Sequence, residues 1–272
     1  MSLTRIRFNL AAQQALNSLN EINKAVTEGL LRLSTGRRIN SVGDDPAGFS
    51  IARTLEANRR GLEQALANVE TGQNVLSIAE SGFLAIGDLL QTIREKALQA
   101  ADDTFTTTER TAIQGQIDSL VDEIDAIVDD TTFLDTKLID GSFTSKVIQT
   151  GASAGDVLTI SLLSADSAAL SITALSVSDA SAASAAIATL DTAIETLNTR
   201  AQDAGEFTIR LESRADQLSV TITNIEGARS RIEDTDFAKE QLKLIQAQII
   251  QQTALAALVQ ANLAPQLVLS LF

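Results

Sequence analysis

Apolar residues recur at helical spacing along most of this chain. Over residues 5–33, Ala12, Leu16, Leu19, Ile22, Val26, Leu30 and Leu33 fall three or four positions apart, which predicts an amphipathic helix closed by Gly36. The longest stripe runs over 45–100, through Ile51, Leu55, Leu62, Leu66, Val69, Leu76, Phe83, Ile86, Leu90, Ile93 and Ala97. Asp45 reads as its N-cap and Pro46 as its first helical residue, where a missing N–H costs nothing and a fixed φ suits the helix. Unbroken, such a helix spans roughly 80 Å at about 1.5 Å per residue. That is too long for one ordinary globular core. The pattern therefore predicts a rod, with coiled-coil-like packing along the heptad stripe.

Asp102–Thr108 breaks the pattern, and Thr106-x-x-Glu109 has the form of a capping box. Ile113, Ile117, Leu120, Ile124 and Ile127 mark a third helix that ends near Asp129-Asp130. From 133 to 178 the period changes. Lys146–Gln149 and Asp156–Leu162 alternate as strands around the turn material Gly151–Gly155, which predicts a small β-hairpin. Asp166–Ser184, rich in Ala, Ser and Asp, reads as a loop or weak strand leading into a helix start. Helical spacing returns over 185–232, first through Leu190, Ile194, Leu197, Ala201 and Ala204. It continues through Leu211, Ala215, Leu218, Ile222, Ile225 and Ile232, with Arg229 expected to reach out of this stripe near its end. Helices on both sides of the hairpin predict an antiparallel bundle. The last segment, 237–272, is different again. Its Leu, Ile, Val and Phe residues lie all round the helix, too many for a solvated element, so it predicts a helix that folds when buried against other subunits.

Composition narrows the chemistry. The chain has no His and no Cys, so it has no Cys/His zinc site, no thiol nucleophile and no imidazole base. No catalytic, metal or cofactor site is expected. Asp122, Glu123, Asp125, Asp129 and Asp130 read as a solvated helix face. A net charge of −14 disfavours nucleic acid and anionic membrane as partners. No run of apolar residues is long enough to span a membrane, and Met1–Phe8 lacks the apolar core of a secretory leader. The charge is uneven: residues 1–60 carry nine Lys and Arg against five Asp and Glu, which reads first as solvated surface and also suits head-to-tail self-association.

Six segments go beyond pattern. Leu33-Ser-Thr-Gly-Arg-Arg-Ile-Asn-Ser-Val-Gly-Asp-Asp-Pro-Ala-Gly48 resembles the motif that follows the first helix of bacterial flagellins. Ala228-Arg-Ser-Arg-Ile-Glu-Asp-Thr-Asp-Phe-Ala238 resembles the one that precedes their last helix. Ile249–Thr253, Gln260–Asn262 and Pro265–Leu271 are similar to the flagellin C-terminus, and Lys137–Gly141 to the entry into the flagellin hairpin region.

The resemblance implies a structural subunit that polymerises into the flagellar filament, outside the cell, in a minimal form without large outer domains. It implies a mainly α fold: an elongated antiparallel helical bundle or coiled-coil rod, a small β-hairpin region and paired terminal helices. The corresponding division is 1–44 for the N-terminal helix and connector and 45–132 for the first part of the rod. It continues with 133–184 for the hairpin and its loop, 185–235 for the C-terminal rod helix and 236–272 for the last helix. Partners implied are further copies of the chain, the type III export apparatus with a cytosolic chaperone, and the cap and hook-junction proteins. Candidate subunit-interface residues are Arg37, Arg38, Asn40, Asp44, Asp45, Gln91, Arg94, Glu95, Arg229, Arg231, Asp234, Asp236, Leu242, Ile245, Ile249, Val259, Leu263 and Leu269. Leu90–Lys96 is similar to a stretch by which an animal Toll-like receptor detects some flagellins. Thr92 and Lys96 stand where that motif has Arg and Leu, so an inter-subunit face is the better reading. The alternatives are a hook–filament junction protein, which shares the terminal helices, and a cytosolic coiled-coil scaffold, which periodicity alone supports equally.

Overall fold

The computed structural model of the chain describes residues 9–269, with side chains through Leu263. The predicted helical start over 5–8, the final residues 270–272 and the Leu269 side chain lie outside the described residues. The fold is mainly α. Its elements in order are α1 (Leu10–Thr35), α2 (Pro46–Ala100), α3 (Thr107–Asp130), β1 (Thr132–Phe133), β2 (Thr136–Lys137), β3 (Lys146–Gln149), β4 (Val157–Ile160), α4 (Ala180–Glu233) and α5 (Phe237–Leu269). The chain falls into two compact units, one made of residues 1–57 with 224–272, the other of 58–223.

In the first unit α1 and α5 lie side by side in opposite directions. Asn9 Nδ2 donates to the Ala261 carbonyl at 2.8 Å, Gln251 Nε2 donates to Asn23 Oδ1 at 2.7 Å, and Arg32 meets Glu240 at 3.4 Å. Asn9 also caps α1, accepting from the Ala12 N–H, and Gly36 ends the helix in the left-handed region at φ 71°. Gly29 faces Leu244 across this pair, where a Cβ would stand in ordinary van der Waals contact, 3.5 Å from Leu244 Cδ1.

In the second unit the predicted stripes converge on one core. Leu76, Phe83, Ile86, Leu90 and Ile93 of α2 pack with Ile117 and Ile124 of α3 and with Leu190, Leu197 and Leu211 of α4. Leu138, Ile139, Ile160, Leu162 and Ile172 cover this core from the intervening segments. α2 and α4 run antiparallel, since Arg94 meets Asp191 at 2.6 Å while Gly72 faces Leu211. The predicted capping box is present at Thr106 and Glu109. The Glu109 carboxyl is held below its ordinary range by the Thr106 N–H it accepts.

The predicted hairpin forms as β3 and β4, antiparallel, from Lys146↔Ile160 to Gln149↔Val157. Three features depart from expectation. A second, two-residue hairpin joins β1 to β2, with Leu134 and Asp135 both at positive φ (47° and 62°), as a type I′ turn requires. α4 begins at Ala180 rather than 185, because Asp179 accepts from the Ala182 N–H and starts the helix inside the Ala/Ser stretch. The acidic face of α3 is not simply solvated. Asp125 accepts from both the Ser167 N–H and hydroxyl at 2.7 Å, and Asp129 meets Lys137 at 2.5 Å. Gln114 likewise holds the segment before α4, donating to the Leu175 carbonyl and accepting from the Val177 N–H.

Candidate subunit interface

Two surfaces gather the candidate residues, and the first is a junction inside the first unit. Gly36 turns the chain out of α1, and residues 37–39 then lie against the end of α4. The Arg38 N–H donates to the Glu233 carbonyl at 2.6 Å, and the Thr235 N–H donates back to the Gly36 carbonyl at 2.9 Å. Arg37 and Asp234 thereby form an isolated antiparallel bridge. The Arg38 guanidinium donates to the Ile232 carbonyl at 2.8 Å across 194 residues of sequence. The last carbonyls of α4, which have no partner inside a helix, are thus satisfied from the other end of the chain. Ile39 is buried beneath them, against Gly48, where a Cβ would stand 2.8 Å from Ile39 Cδ1.

The polar side chains of this junction are engaged within the chain. Asp44 accepts from the Ser41 and Asn40 N–H groups, which together hold its carboxyl below the ordinary range. Asn40 Nδ2 donates to the Arg37 carbonyl, and Asp45 caps α2 by accepting from the Gly48 N–H. Asp236 caps α5 in the same way, accepting from the Lys239 N–H. Arg229, expected to reach outward, instead turns inward. Its side chain is 14% exposed and contacts Glu226 at 2.5 Å, Glu233 at 2.8 Å and Glu56 of α2 at 3.7 Å. The bonds to Glu226, with the other carboxylates around it, raise its already high pKa. Arg231 is exposed in the last turn of α4, where a cation suits the helix dipole.

The second surface is apolar. Of the α5 side chains described, Leu244 is the fully buried large aliphatic one. Leu242, Ile245, Ile249, Ile250, Leu255, Val259 and Leu263 are all exposed, Leu242 at 69%. α1 adds Leu10, Leu16, Leu30 and Leu31. Large apolar side chains left exposed in number on one helix mark an interaction surface, and α5 carries five of the apolar candidates exposed. Gln91 and Glu95 are exposed on α2 in the second unit, and Arg94 beside them is held by Asp191, whose hydrogen bond raises its pKa. The residues that sequence reasoning missed are Glu233 and Glu56. Neither stands out by type or spacing, and only the fold brings them to Arg229. Among the described residues no group of three or more acidic side chains is placed to hold a metal, and no helix is long and apolar enough to cross a membrane.

Comparison with known proteins places these features in a family. The profile of the bacterial flagellin N-terminal helical region matches residues 6–144, and that of the C-terminal helical region matches 187–272. The chain is 32% identical to a flagellin of Halalkalibacterium halodurans over 98% of both sequences. It is 33% identical to the flagellar filament 33 kDa core protein of Treponema phagedenis, over 98% of this chain and 99% of that one. The crystal structure of Bacillus cereus flagellin shares the fold, with a TM-score of 0.52 and 24% identity, over 60% of this chain and 94% of the other.

Proposed function

The chain belongs to the bacterial flagellin family, and we propose on that premise how this structural subunit of the flagellar filament joins its neighbours. The observation that carries the reading is the apolar surface of α5 and α1, left exposed in the single chain from Leu10 to Leu31 and from Leu242 to Leu263. Surface of this kind is removed from water when further copies pack against it. Because the patch on one subunit meets a different patch on the next, the association is heterologous and builds an open helical polymer rather than a closed ring. The terminal helices thereby gain their main stabilisation on assembly. The family makes it a minimal flagellin, a structural protein for motility.

The finer partners follow from the same surface. A helix as apolar as α5 needs covering before it reaches the filament tip, which supports a cytosolic chaperone bound to the C-terminal segment. Membership of the family supports passage through the flagellar type III apparatus and an extracellular destination. It also supports contacts with the hook-junction proteins below and the cap above. Gln91, Glu95 and Arg231 are proposed as polar contacts between subunits, since they are exposed and lie outside the junction.

Seeded elongation tests the reading. Purified chain mixed with sheared filament ends should extend them into tubes of constant diameter seen by electron microscopy, with a sharp critical concentration. A hook–filament junction protein would add a few subunits and stop. Chain that stays monomeric on seeds at every concentration overturns the proposal.

A further inference from the structure

Two exposed features of the second unit lie outside both surfaces described above. The first is a knob. Leu134 is 84% exposed, the highest value for a large apolar side chain among the described residues. With Asp135 it forms the two-residue turn between β1 and β2, both residues at positive φ. So tight a turn has little freedom, and it presents Leu134 on a preset backbone at small entropic cost. The second is a socket. Between β3 and α2 lies a cavity of about 440 Å³, walled by Val75 and Leu76 of α2, by Ile148 and Ile160 of the second hairpin, and by Phe133 and Phe143. Lys146 is the cation of this lining, which contains no carboxylate. Its ammonium stands 5.8 Å from the centroid of the Phe143 ring, and among the described residues neither it nor Asp135 has an ion-pair partner. Leu134 does not fill the socket of its own chain. Phe133 beside it already forms part of the wall, and adjacent residues of an extended backbone point to opposite sides, so Leu134 is carried into solvent. An apolar cavity of this size suits an apolar occupant, and an unpaired cation beside it suits an acid. Leu134-Asp135 supplies both at adjacent positions.

We propose that the β1–β2 turn of one copy docks into the β3–α2 socket of a neighbouring copy, with Leu134 in the apolar cavity and Asp135 against Lys146. The proposal rests on the filament reading above and adds to it a contact made wholly by the unit 58–223, outside the terminal helices. Knob and socket are different surfaces. Each copy therefore gives its turn to one neighbour and receives a turn from another, the heterologous arrangement of an open polymer.

Substitution tests each half of the contact. Leu134→Asn removes the knob and keeps the turn, since Asn accepts positive φ readily. The thermal midpoint of the monomer should stay at or above that of wild type, while the critical concentration for growth on wild-type seeds should rise about tenfold. The charges are tested by exchange. Asp135→Lys and Lys146→Asp, each alone, should raise the critical concentration about three- to fivefold. An equimolar mixture of these two variants should return to within about twofold of wild type, because the Lys turn of one then meets the Asp socket of the other, and the reverse. A contact inside one chain cannot be repaired across chains in this way. The mixture also keeps the test decisive where a variant lowers monomer stability, since chains that fail to fold cannot repair each other. Three results overturn the proposal: Leu134→Asn that grows at the wild-type critical concentration, a single charge variant that grows like wild type, or a mixture that grows no better than its components. Wild-type chain that fails on seeds overturns the filament reading instead, before any variant is compared.

Discussion

Arg110 shows how a single residue acts where no pattern marks it. It lies in the first turns of α3 yet is buried at 6% exposure, because its guanidinium turns back under the α2–α3 connection. There it donates to the carbonyls of Ala100, Asp102 (2.8 Å) and Phe105 (3.4 Å), all at or just beyond the end of α2. One planar fork with five donors thus serves three carbonyls of the connection, of which the Asp102 carbonyl also accepts from the Phe105 N–H at 3.2 Å. Hydrogen bonds from a charged donor contribute about 1.5–3 kcal/mol, and a buried carbonyl left unmet costs a comparable amount. Arg110→Ala should therefore lower the stability of the second unit by about 2–4 kcal/mol, read as a shift in the urea midpoint with little change of slope. Arg110→Lys should recover little, since a point charge cannot serve three acceptors. Nothing in the sequence separates Arg110 from an exposed arginine, because its partners are backbone atoms of a turn whose path the sequence does not display.

At the scale of elements, what was legible is what repeats. The stripe from Val69 to Ala97 became the core face of α2 because three- and four-residue steps can only line one side of a helix. Thr106, Glu109, Asp45 and Pro46 marked helix starts because capping is local chemistry. The extra hairpin at β1–β2 escaped, since Leu134 is a residue that rarely takes positive φ and carries no local turn signal. Close contacts between elements escaped as well. Gly82 on α2 is one. A Cβ there would stand 2.8 Å from Thr131 Oγ1, 2.9 Å from Ile139 Cδ1 and 3.1 Å from Thr131 Cγ2. Thr131 is itself pinned, donating to the Ile127 carbonyl at 2.6 Å, so it cannot yield easily. Gly82→Val should push the 131–139 segment off α2 and cost about 1–3 kcal/mol despite the better helix propensity of the new residue. A lowered thermal midpoint with amide exchange accelerated over 131–139 is the expected signature. An unchanged midpoint would show that the contact relaxes.

For the molecule as a whole, the sequence disclosed that the last helix is too apolar to stand in water, and the structure shows which residues are left there. The junction of 36–45 with 232–236 was visible only as two separate motifs; their meeting is a long-range fact that no periodicity encodes. The two surfaces differ in kind: at the junction the polar side chains are engaged within the chain, while on α5 the apolar side chains are left exposed. Substitution separates the two. Ile249 and Val259 are 57% and 61% exposed on α5, so replacing either with Asp removes little that the single chain uses. Surface changes of this kind alter stability by about 0.5 kcal/mol or less, and the thermal midpoint of the monomer should barely move. On the proposed reading, further copies of the chain cover the same positions in the polymer. Burying what remains exposed of each side chain contributes on the order of 1–2 kcal/mol, and an unpaired carboxylate placed there adds a desolvation cost of its own. Since about 1.4 kcal/mol is a factor of ten in an equilibrium constant, Ile249→Asp and Val259→Asp should each raise the critical concentration for seeded growth at least tenfold, measured by sedimenting polymer over a concentration series. Together, on one face of one helix, they should abolish growth while the monomer melts as before. A double variant that polymerises at the wild-type critical concentration would mean that this side of α5 faces water in the filament, and that the contacts between subunits lie elsewhere.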